Sequence, residues 1–260
     1  MAHRLSQISS HLNYPQGLLA NQVAIITGAG QGIGAETAKL FANEGAKVVI
    51  ADIDAEKATN TANAINAASP NRAIAVTGDI LDDAYIESLV KKAAEFGNGK
   101  IHLVRAAAKY FRVKDGEPRV IINISSTSGI HGNAGQANYA LAKAGVVGLT
   151  RTIAKEWGPA FGVRSNTIAF GHVQTRLTAA KEKGAFITTP DGTKVALGIP
   201  GKQLESRQGG AGEQKQTYPD IPLGRPASPE EAAKSVLAVA SPLFSYVTGE
   251  TIRVTGGRNM

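Results

Sequence analysis

The sequence predicts a single α/β domain in three layers, with a doubly wound parallel β-sheet between two layers of helices. Two observations predict this fold. Short runs rich in Val and Ile alternate with longer amphipathic stretches along most of the 260-residue chain. The apolar runs are continuous, which is typical of parallel strands buried on both faces. Strands that alternate with helices are joined by right-handed crossovers and form such a sheet.

The elements follow in order from residue 22. The predicted strands cover residues 22–27, 47–52, 73–79, 119–126, 163–169 and 251–255. The predicted helices, in which apolar residues recur at helical spacing, cover residues 32–43, 54–68, 82–96, about 138–157 and about 229–240. Residues 1–20 are expected to form an N-terminal extension, and residues 21–260 the domain. Between residues 178 and 222 the chain is rich in Gly, Pro, Lys and Gln and shows little periodicity, as expected of a lid or a disordered loop.

Composition narrows the classes of function. No apolar run is long enough for a membrane span, and the absence of cysteine excludes disulfides and thiolate metal sites. The five histidines show no ligand spacing, so no metal is expected. A reducing compartment such as the cytoplasm fits the lack of cysteine. A mitochondrial location is the alternative, because the first twenty residues contain no acid and no apolar signal core.

The net charge of +7 is spread along the chain, without a dense run of Lys and Arg or interleaved aromatic residues. This pattern favours a solvated surface that attracts small anionic ligands, and nucleic acid is the weaker alternative. We therefore expect a small-molecule ligand and neither nucleic acid nor a membrane as partner.

A glycine-rich turn, TGAGQGIG, joins the first predicted strand to the first predicted helix. Glycines allow the backbone to approach a pyrophosphate, which then lies at the N-terminus of the helix. A tight turn without a ligand is the alternative. The residues expected to bind the cofactor here are Gly28, Gln31, Gly32, Ile33 and Gly34.

Acidic residues end the next two predicted strands. Asp52 can accept a hydrogen bond from a ribose 2′-hydroxyl and would repel a 2′-phosphate, which favours NAD over NADP. Gln31 offers no positive charge to such a phosphate. The alternative for Asp52 is a carboxylate that caps the helix from residue 54. Asp79 and Ile80 are expected to hold the adenine.

Tyr139 and Lys143 lie four residues apart on a predicted helix and therefore share one face. An ammonium group beside a phenol stabilises its ionised form, which would make Tyr139 a general acid and base near neutral pH. Tyr110 and Lys114 repeat this spacing. Only Tyr139 follows, by 13 residues, a serine that ends a strand at the carboxyl edge of the sheet, namely Ser126.

Together, TGAGQGIG, the strand ending INISS and the segment GNAGQANYALAKAG resemble the short-chain dehydrogenase/reductases, and among them the 3-oxoacyl-acyl-carrier-protein reductases. The resemblance covers about residues 20–257 and implies a Rossmann fold. It implies that Tyr139 is the acid/base, that Ser126 steadies the substrate oxygen, and that Lys143 tunes the tyrosine and binds the ribose of NAD or NADP. It also implies a homo-oligomer.

The resemblance extends to the segment after the strand at 163–169. Phe170 stands where the family usually has proline. By resemblance, Gly171, Val173 and Thr175 bind the nicotinamide side of the cofactor, and residues 176–222 form a substrate lid.

One part of the family pattern is missing. The family has an Asn-Asn-Ala-Gly motif after its fourth strand, then a long helix that carries a catalytic asparagine, and neither occurs between residues 96 and 119. In one interpretation, which we favour for the folded chain, residues 101–104 form the fourth strand and residues 105–107 replace the motif. In the other, residues 103–112 are the remnant of the long helix, and some tens of residues are absent.

The expected function is hydride transfer between NAD(P)H and a carbonyl compound or secondary alcohol, with a 3-oxoacyl thioester as the best-supported substrate. Two alternatives stay open: a family member that binds the dinucleotide without activity, and an incomplete chain that does not fold.

Overall fold

The computed structural model describes residues 14, 16–97, 108–179, 184, 186–188, 192–196 and 218–259. The strands in these residues are β1 (Val23–Thr27), β2 (Lys47–Asp52), β3 (Ala73–Thr77), β4 (Arg119–Ser126), β5 (Val163–Phe170), β6 (Phe186–Thr188), β7 (Lys194–Ala196) and β8 (Thr251–Val254). The helices are α1 (Gly32–Asn43), α2 (Ala55–Ala68), α3 (Asp83–Phe96), α4 (Ala108–Phe111), α5 (Thr127–His131), α6 (Ala137–Phe161), α7 (Pro229–Ala240) and a 3-10 turn at Pro242–Phe244.

The long strands form two parallel sheets of three strands each. One has the order β1-β2-β3 and the other β4-β5-β8. The short strands β6 and β7 form a separate antiparallel pair within the segment that was expected to be a lid. Six strands thus lie parallel to their sheet neighbours, as the sequence predicts.

The edge between the two sheets is the main departure from a continuous doubly wound sheet. Among the described residues, β1 pairs only with β2, and β4 pairs only with β5. Ile124 of β4 is 40% exposed, whereas β5 is almost fully buried. Within the part of the chain that the structure describes, β1 and β4 are therefore each the edge strand of a sheet.

The two interpretations of the irregular region are tested only in part. Residues 101–104, which the favoured interpretation makes a strand, lie outside the described residues, as do residues 105–107. The end of the proposed helix remnant is helical, because α4 covers Ala108–Phe111. This helix agrees with the second interpretation at residues 108–111, and whether residues 101–104 form a strand stays untested.

Two hydrophobic clusters lie on opposite faces of the sheets and span both of them. The first contains side chains of α1, α2 and α7. The second contains side chains of α3, α4 and α6. In the second cluster Phe111 is fully buried, and its ring centroid lies 6.1 Å from that of Trp157. Helix α4 therefore fills part of the space between α3 and α6.

Several boundaries differ from the predictions. Strand β3 ends at Thr77 instead of residue 79, and α5 was not predicted. Helix α6 continues four residues beyond the expected end and includes Pro159. It continues because Phe161 packs against the second cluster, and it ends at Gly162, whose φ of +66° is the left-handed conformation of a helix C-cap.

The unpaired edges lead to a prediction for hydrogen exchange. Half of the N–H groups in β1 and β4 point away from β2 and β5, and we expect these amides to exchange much faster than the amides of β2 and β5. Exchange measured by NMR or mass spectrometry tests this. Equal protection of all amides in β1 and β4 would show instead that another segment pairs with them.

A second prediction concerns the N-terminus of α7, which packs against α1. Glu231 completes a capping box with Ser228 and pairs with the Arg225 guanidinium through two 2.7 Å hydrogen bonds. The Arg225 side-chain hydrogen bond, followed by the Ser228 N–H, lowers the pKa of Glu231 from 4.5 to about 2.

A carboxyl group with a lowered pKa in the folded state stabilises the fold above its unfolded pKa, and this stability is lost as the pH falls towards 2. We therefore expect Glu231→Gln to lower the urea midpoint near pH 7 and to make less difference near pH 2.5. Glu87→Gln, at an exposed position of α3, is the control. An unchanged midpoint of Glu231→Gln near pH 7 would contradict the assignment.

Candidate active site

The glycine-rich turn runs from the end of β1 into α1. The Gly28 N–H donates to the Ala51 carbonyl oxygen at 2.8 Å, and Gly28 and Gly32 have positive φ of 66° and 59°. A Cβ at Gly34 would lie 2.3 Å from the Gly28 carbonyl oxygen, so only glycine fits there. The backbone of α1 at Gly34 therefore packs directly against the backbone of the turn at Gly28.

The N-terminus of α1 is open to a ligand. Its N-cap residue, Gln31, has extended backbone and makes no side-chain capping hydrogen bond. The first N–H groups of a helix have no partner within it, so they favour an anion at this end. Ile33, one residue into α1, packs against the first hydrophobic cluster and anchors the turn.

Asp52, the last residue of β2, is fixed by two backbone groups. Its Oδ2 accepts a hydrogen bond from the Gly30 N–H at 2.8 Å, and its Oδ1 accepts one from the Asp54 N–H at 3.0 Å. The N-cap of α2 is Asp54, whose side chain accepts from the Lys57 N–H. Asp52 is therefore not the residue that caps the helix, and its carboxylate lies against the glycine-rich turn.

Tyr85 was not singled out from the sequence. Its hydroxyl donates to the Val76 carbonyl oxygen at 2.7 Å, and a Cβ at Gly78 would lie 2.1 Å from its ring. Burial, followed by the charge of Asp52, raises the pKa of Tyr85 to about 12, so the phenol remains a hydrogen-bond donor. The glycine before Asp79 was the only signal of this packing.

Asp79 and Ile80 follow this packed pair. The Asp79 Oδ1 accepts a hydrogen bond from the Leu81 N–H at 2.9 Å, and Ile80 is 45% exposed. An exposed apolar side chain beside the carboxyl end of β3 offers a surface to a planar ring. The structure thus leaves Ile80 accessible at the edge where the sequence expects adenine.

Ser126 and Ser125 point to different partners at the end of β4. Ser126 is the N-cap of α5, and its Oγ accepts a hydrogen bond from the Ser128 N–H at 3.2 Å. Ser125 Oγ instead donates to the Lys143 carbonyl oxygen at 2.6 Å and so joins β4 to α6. A Cβ at Gly129 would lie 2.6 Å from the Lys143 carbonyl carbon, so this glycine also permits the close contact with α6.

Tyr139 and Lys143 lie on one face of α6, as their spacing predicts. The Lys143 Nζ is 5.7 Å from the centroid of the Tyr139 ring and donates to the Ile124 carbonyl oxygen at 2.9 Å. Burial lowers the pKa of Lys143. Tyr139 itself is 42% exposed. The ammonium group therefore lies between the end of β4 and an accessible phenol.

The second tyrosine–lysine pair has a different environment. Tyr110 of α4 packs against the second hydrophobic cluster, and the cation over its ring is Lys109, with Nζ 5.1 Å from the centroid. Lys114, the partner expected from the spacing, is exposed. Tyr110 is thus part of the packing between helices.

The segment after β5 lies over the glycine-rich turn. The Gly171 N–H donates to the Val254 carbonyl oxygen at 2.9 Å, and Val173 is 4% exposed and pairs with Ala227. The Cγ2 of Thr175 is 4.0 Å from the position of a Cβ at Gly32. The segment after β5 therefore ends close to the start of α1, where the glycine-rich turn also ends.

The residues present fit a dinucleotide. The open N-terminus of α1 suits a pyrophosphate, and Asp52 suits ribose hydroxyls. Within the described ranges, no group of three or more His, Asp or Glu side chains could hold a metal ion. None of the helices in these ranges is long and apolar enough to cross a membrane.

Comparison with known proteins decides the family. A family described as short chain dehydrogenase matches residues 22–98 and 97–185, and one described as enoyl-(acyl carrier protein) reductase matches residues 198–259. The 3-oxoacyl-[acyl-carrier-protein] reductase FabG of Vibrio cholerae is 32% identical over 271 aligned positions, which cover 93% of this chain and 99% of the relative. The chain belongs to the short-chain dehydrogenase family.

Other relatives of this short-chain dehydrogenase differ in their substrates. The cis-4-hydroxycyclohexanecarboxylate dehydrogenase of Sinomonas cyclohexanicum is also 32% identical, over 92% of this chain and 96% of the relative. The solved 3-ketoacyl-(acyl-carrier-protein) reductase of Brucella melitensis, in complex with NADH, is 26% identical with a TM-score of 0.71 and covers 93% and 100% of the two chains. The predicted fold class and the predicted class of function, an oxidoreductase, are thereby confirmed.

The comparisons also locate the departure from the family. The match to the family is interrupted at residues 97–98, next to the undescribed residues 98–107. Because 93% of 260 residues is about 242, about 29 of the 271 positions aligned with the Vibrio reductase have no counterpart here. That number agrees with the interpretation in which some tens of residues are absent between α3 and β4.

Proposed function

We propose that this short-chain dehydrogenase transfers a hydride between NAD(P)H and a carbonyl compound or secondary alcohol. The observation that carries the proposal is the position of Lys143 between the Tyr139 ring and the end of β4. Ser126 ends the same strand, and the Thr175 methyl group lies near Gly32 at the glycine-rich turn. An acid/base residue, its cation and a hydroxyl thus lie beside a place for the dinucleotide.

In this proposal Tyr139, Lys143 and Ser126 each have a separate role in the reaction. When bound, the nicotinamide ring supplies the hydride that reaches the carbonyl carbon. The Tyr139 hydroxyl donates its proton to the carbonyl oxygen, and the Lys143 ammonium stabilises the resulting phenolate. Ser126 Oγ already accepts the Ser128 N–H, so its own proton is available to hydrogen-bond the substrate oxygen.

The proposed cofactor site consists of the glycine-rich turn with the start of α1, the ends of β2 and β3, one face of α6 and the segment after β5. Support comes from the open N-terminus of α1, the fixed carboxylate of Asp52 and the contact between the Thr175 segment and the turn. The residues assigned to it are Gly28, Gln31, Gly32, Ile33, Gly34, Asp52, Asp79, Ile80, Tyr139, Lys143, Gly171, Val173 and Thr175. Asp52 favours NAD, since its carboxylate can accept from a ribose hydroxyl.

A 3-oxoacyl thioester is the substrate class that we propose. The Vibrio relative and the solved Brucella neighbour are both named as reductases of this class. The name of the cyclohexanecarboxylate dehydrogenase supports a cyclic secondary alcohol as the main alternative. Residues 176–222, which we propose as the lid over this substrate, fall mostly outside the described residues.

A second candidate is a family member that binds the dinucleotide without catalysis. The observation in its favour is the interrupted family match at residues 97–98, where the catalytic asparagine of the family would follow. Without that residue, the proton path from Lys143 to solvent lacks one of its members.

One experiment separates the two candidates. Calorimetry with NAD⁺ and NADP⁺ measures binding to the full chain, and oxidation of NADH or NADPH is then followed with acetoacetyl thioesters and a panel of ketones and cyclic ketones. Turnover with any of these carbonyl compounds supports the oxidoreductase. Binding without turnover across the panel selects the inactive member.

A further inference from the structure

Arg176 is the first residue of the proposed lid segment, directly after Thr175. Its Nη1 is buried and has no hydrogen-bond partner among the described residues. A buried guanidinium nitrogen without a partner is unfavourable, because the hydrogen bond that it gives up in water is not replaced. Such a nitrogen is therefore a candidate contact for a ligand that enters the cleft.

The surroundings of Arg176 belong to the adenosine-ribose end of the cleft. The carboxylates of Asp52 and Asp54 both lie close enough to interact electrostatically with its guanidinium. Its neighbour Thr175 contacts the position of a Cβ at Gly32. Arg176 thus reaches from the nicotinamide-side segment across the glycine-rich turn towards the end of β2.

Lys57 is a second cation that lies close to these two carboxylates. The Lys57 Nζ pairs with the Asp54 Oδ2 at 2.5 Å, and a Cβ at Gly30 would lie 2.9 Å from Asp52 Oδ2 and 3.0 Å from Lys57 Cβ. Gly30 is therefore flanked by an acid and the stem of a lysine. Two carboxylates and two cations thus lie close together beside the glycine-rich turn, and their charges balance.

The two cations weaken the argument that Asp52 excludes NADP. A carboxylate alone repels a 2′-phosphate. Asp52 already accepts hydrogen bonds from Gly30 and Asp54, and Asp54 is already paired with Lys57. Arg176 has an uncommitted nitrogen, and a guanidinium matches the geometry of a phosphate with parallel hydrogen bonds.

We propose that Arg176 binds the 2′-phosphate of NADP(H), so that this short-chain dehydrogenase accepts the phosphorylated dinucleotide despite Asp52. The inference rests on the proposed function in that it requires dinucleotide binding in this cleft. It adds a residue that lies outside both the glycine-rich turn and the end of β2, and that discriminates between two cofactors.

Calorimetry on the full chain tests the proposal without an activity measurement. We expect Arg176→Gln to weaken NADP⁺ binding at least about tenfold, as for loss of one charge-assisted hydrogen bond, and to change NAD⁺ binding by less than about threefold. Arg176→Lys should retain part of the NADP⁺ affinity, because a lysine still supplies the charge. Arg151→Gln, which removes one exposed positive charge on α6, is the control and should change neither.

Adenosine 2′,5′-bisphosphate and 5′-AMP isolate the adenosine end of the site. Arg176→Gln should weaken only the bisphosphate. The inference about Arg176 would be wrong if Arg176→Gln weakened NAD⁺ and NADP⁺ binding equally or left NADP⁺ binding unchanged. It would also be wrong if the wild-type chain bound NAD⁺ but not NADP⁺. None of these results would contradict the proposed function. A wild-type chain that binds neither dinucleotide would contradict the proposed function as well. Thermal melts of each variant separate a binding effect from loss of the fold.

Discussion

Tyr139→Phe is expected to lower kcat about 10²–10⁴-fold, the range that a positioned general acid contributes. Phenylalanine keeps the ring that packs beside the Lys143 ammonium but removes the proton that the substrate oxygen receives. Binding of the dinucleotide should change little, because the variant retains the glycine-rich turn and Asp52. Steady-state rates of NAD(P)H oxidation and calorimetric titrations measure the two quantities on the same preparation.

The chain offers a matched control for this substitution. Tyr110 belongs to the second match to the same spacing, but it packs between helices in the second hydrophobic cluster. Tyr110→Phe removes the same hydroxyl away from the cleft and should leave kcat within about twofold of wild type, since it touches no reacting atom. Equal losses in the two variants, or no loss in Tyr139→Phe, would remove Tyr139 from the mechanism.

Gly34→Ala is expected to have the second largest effect, on both stability and binding of the dinucleotide. The new Cβ would lie 2.3 Å from the Gly28 carbonyl oxygen and 3.0 Å from Ala29 Cα, so the turn and α1 must separate. Overpacking of this kind costs about 1–3 kcal/mol. At about 2–4 °C per kcal/mol for a domain near this size, the melting temperature should fall by several degrees.

The displaced turn should also weaken binding of NAD⁺ by about tenfold or more, because the N–H groups of α1 no longer converge on the phosphates. Gly148→Ala, at an exposed position of α6, is the control, since no neighbouring atom lies within 4 Å of its Cβ position. Alanine in a helix interior is more stable than glycine by roughly 0.5–1 kcal/mol, so the control should melt slightly higher. A wild-type affinity in Gly34→Ala would show that the dinucleotide binds elsewhere.

The local parts of the fold could be predicted from the sequence. Gly28, Gly32 and Gly34 mark a strand-turn-helix unit because their backbones adopt conformations or contacts that a side chain would prevent. Likewise, four residues along a helix bring Tyr139 and Lys143 to one face whatever surrounds them. These features depend on neighbours in sequence, so periodicity and spacing suffice to find them.

Contacts between distant segments could not be predicted in the same way. Arg176 faces Asp52 only because β2 and the segment after β5 end at one edge of the fold. The close fit of Gly129 on Lys143 likewise depends on how α6 lies against β4. The residues around Gly78 likewise give no indication that the Tyr85 ring packs against it.

The region between α3 and β4 was predicted only in part. The sequence identified the place where the family pattern is interrupted, and the family match breaks at residues 97–98. It could not decide whether residues 101–104 form the fourth strand or that strand is lost, since pairing in a parallel sheet depends on strands distant in the chain. Residues 108–111 are helical because Phe111 is buried between α3 and α6, a tertiary contact that periodicity over four residues does not reveal.

Transfer of deuterium tests hydride transfer most directly. The chain is incubated with acetoacetyl thioester, or whichever carbonyl compound of the panel reacts, and with NADH carrying deuterium at one or the other face of C4. Mass spectrometry of the alcohol should show one deuteron on the carbinol carbon from one labelled epimer and none from the other, and Tyr139→Phe should suppress both product and label. An alcohol without deuterium from either epimer, or no alcohol from any carbonyl compound while NADH binds, would contradict hydride transfer by this chain.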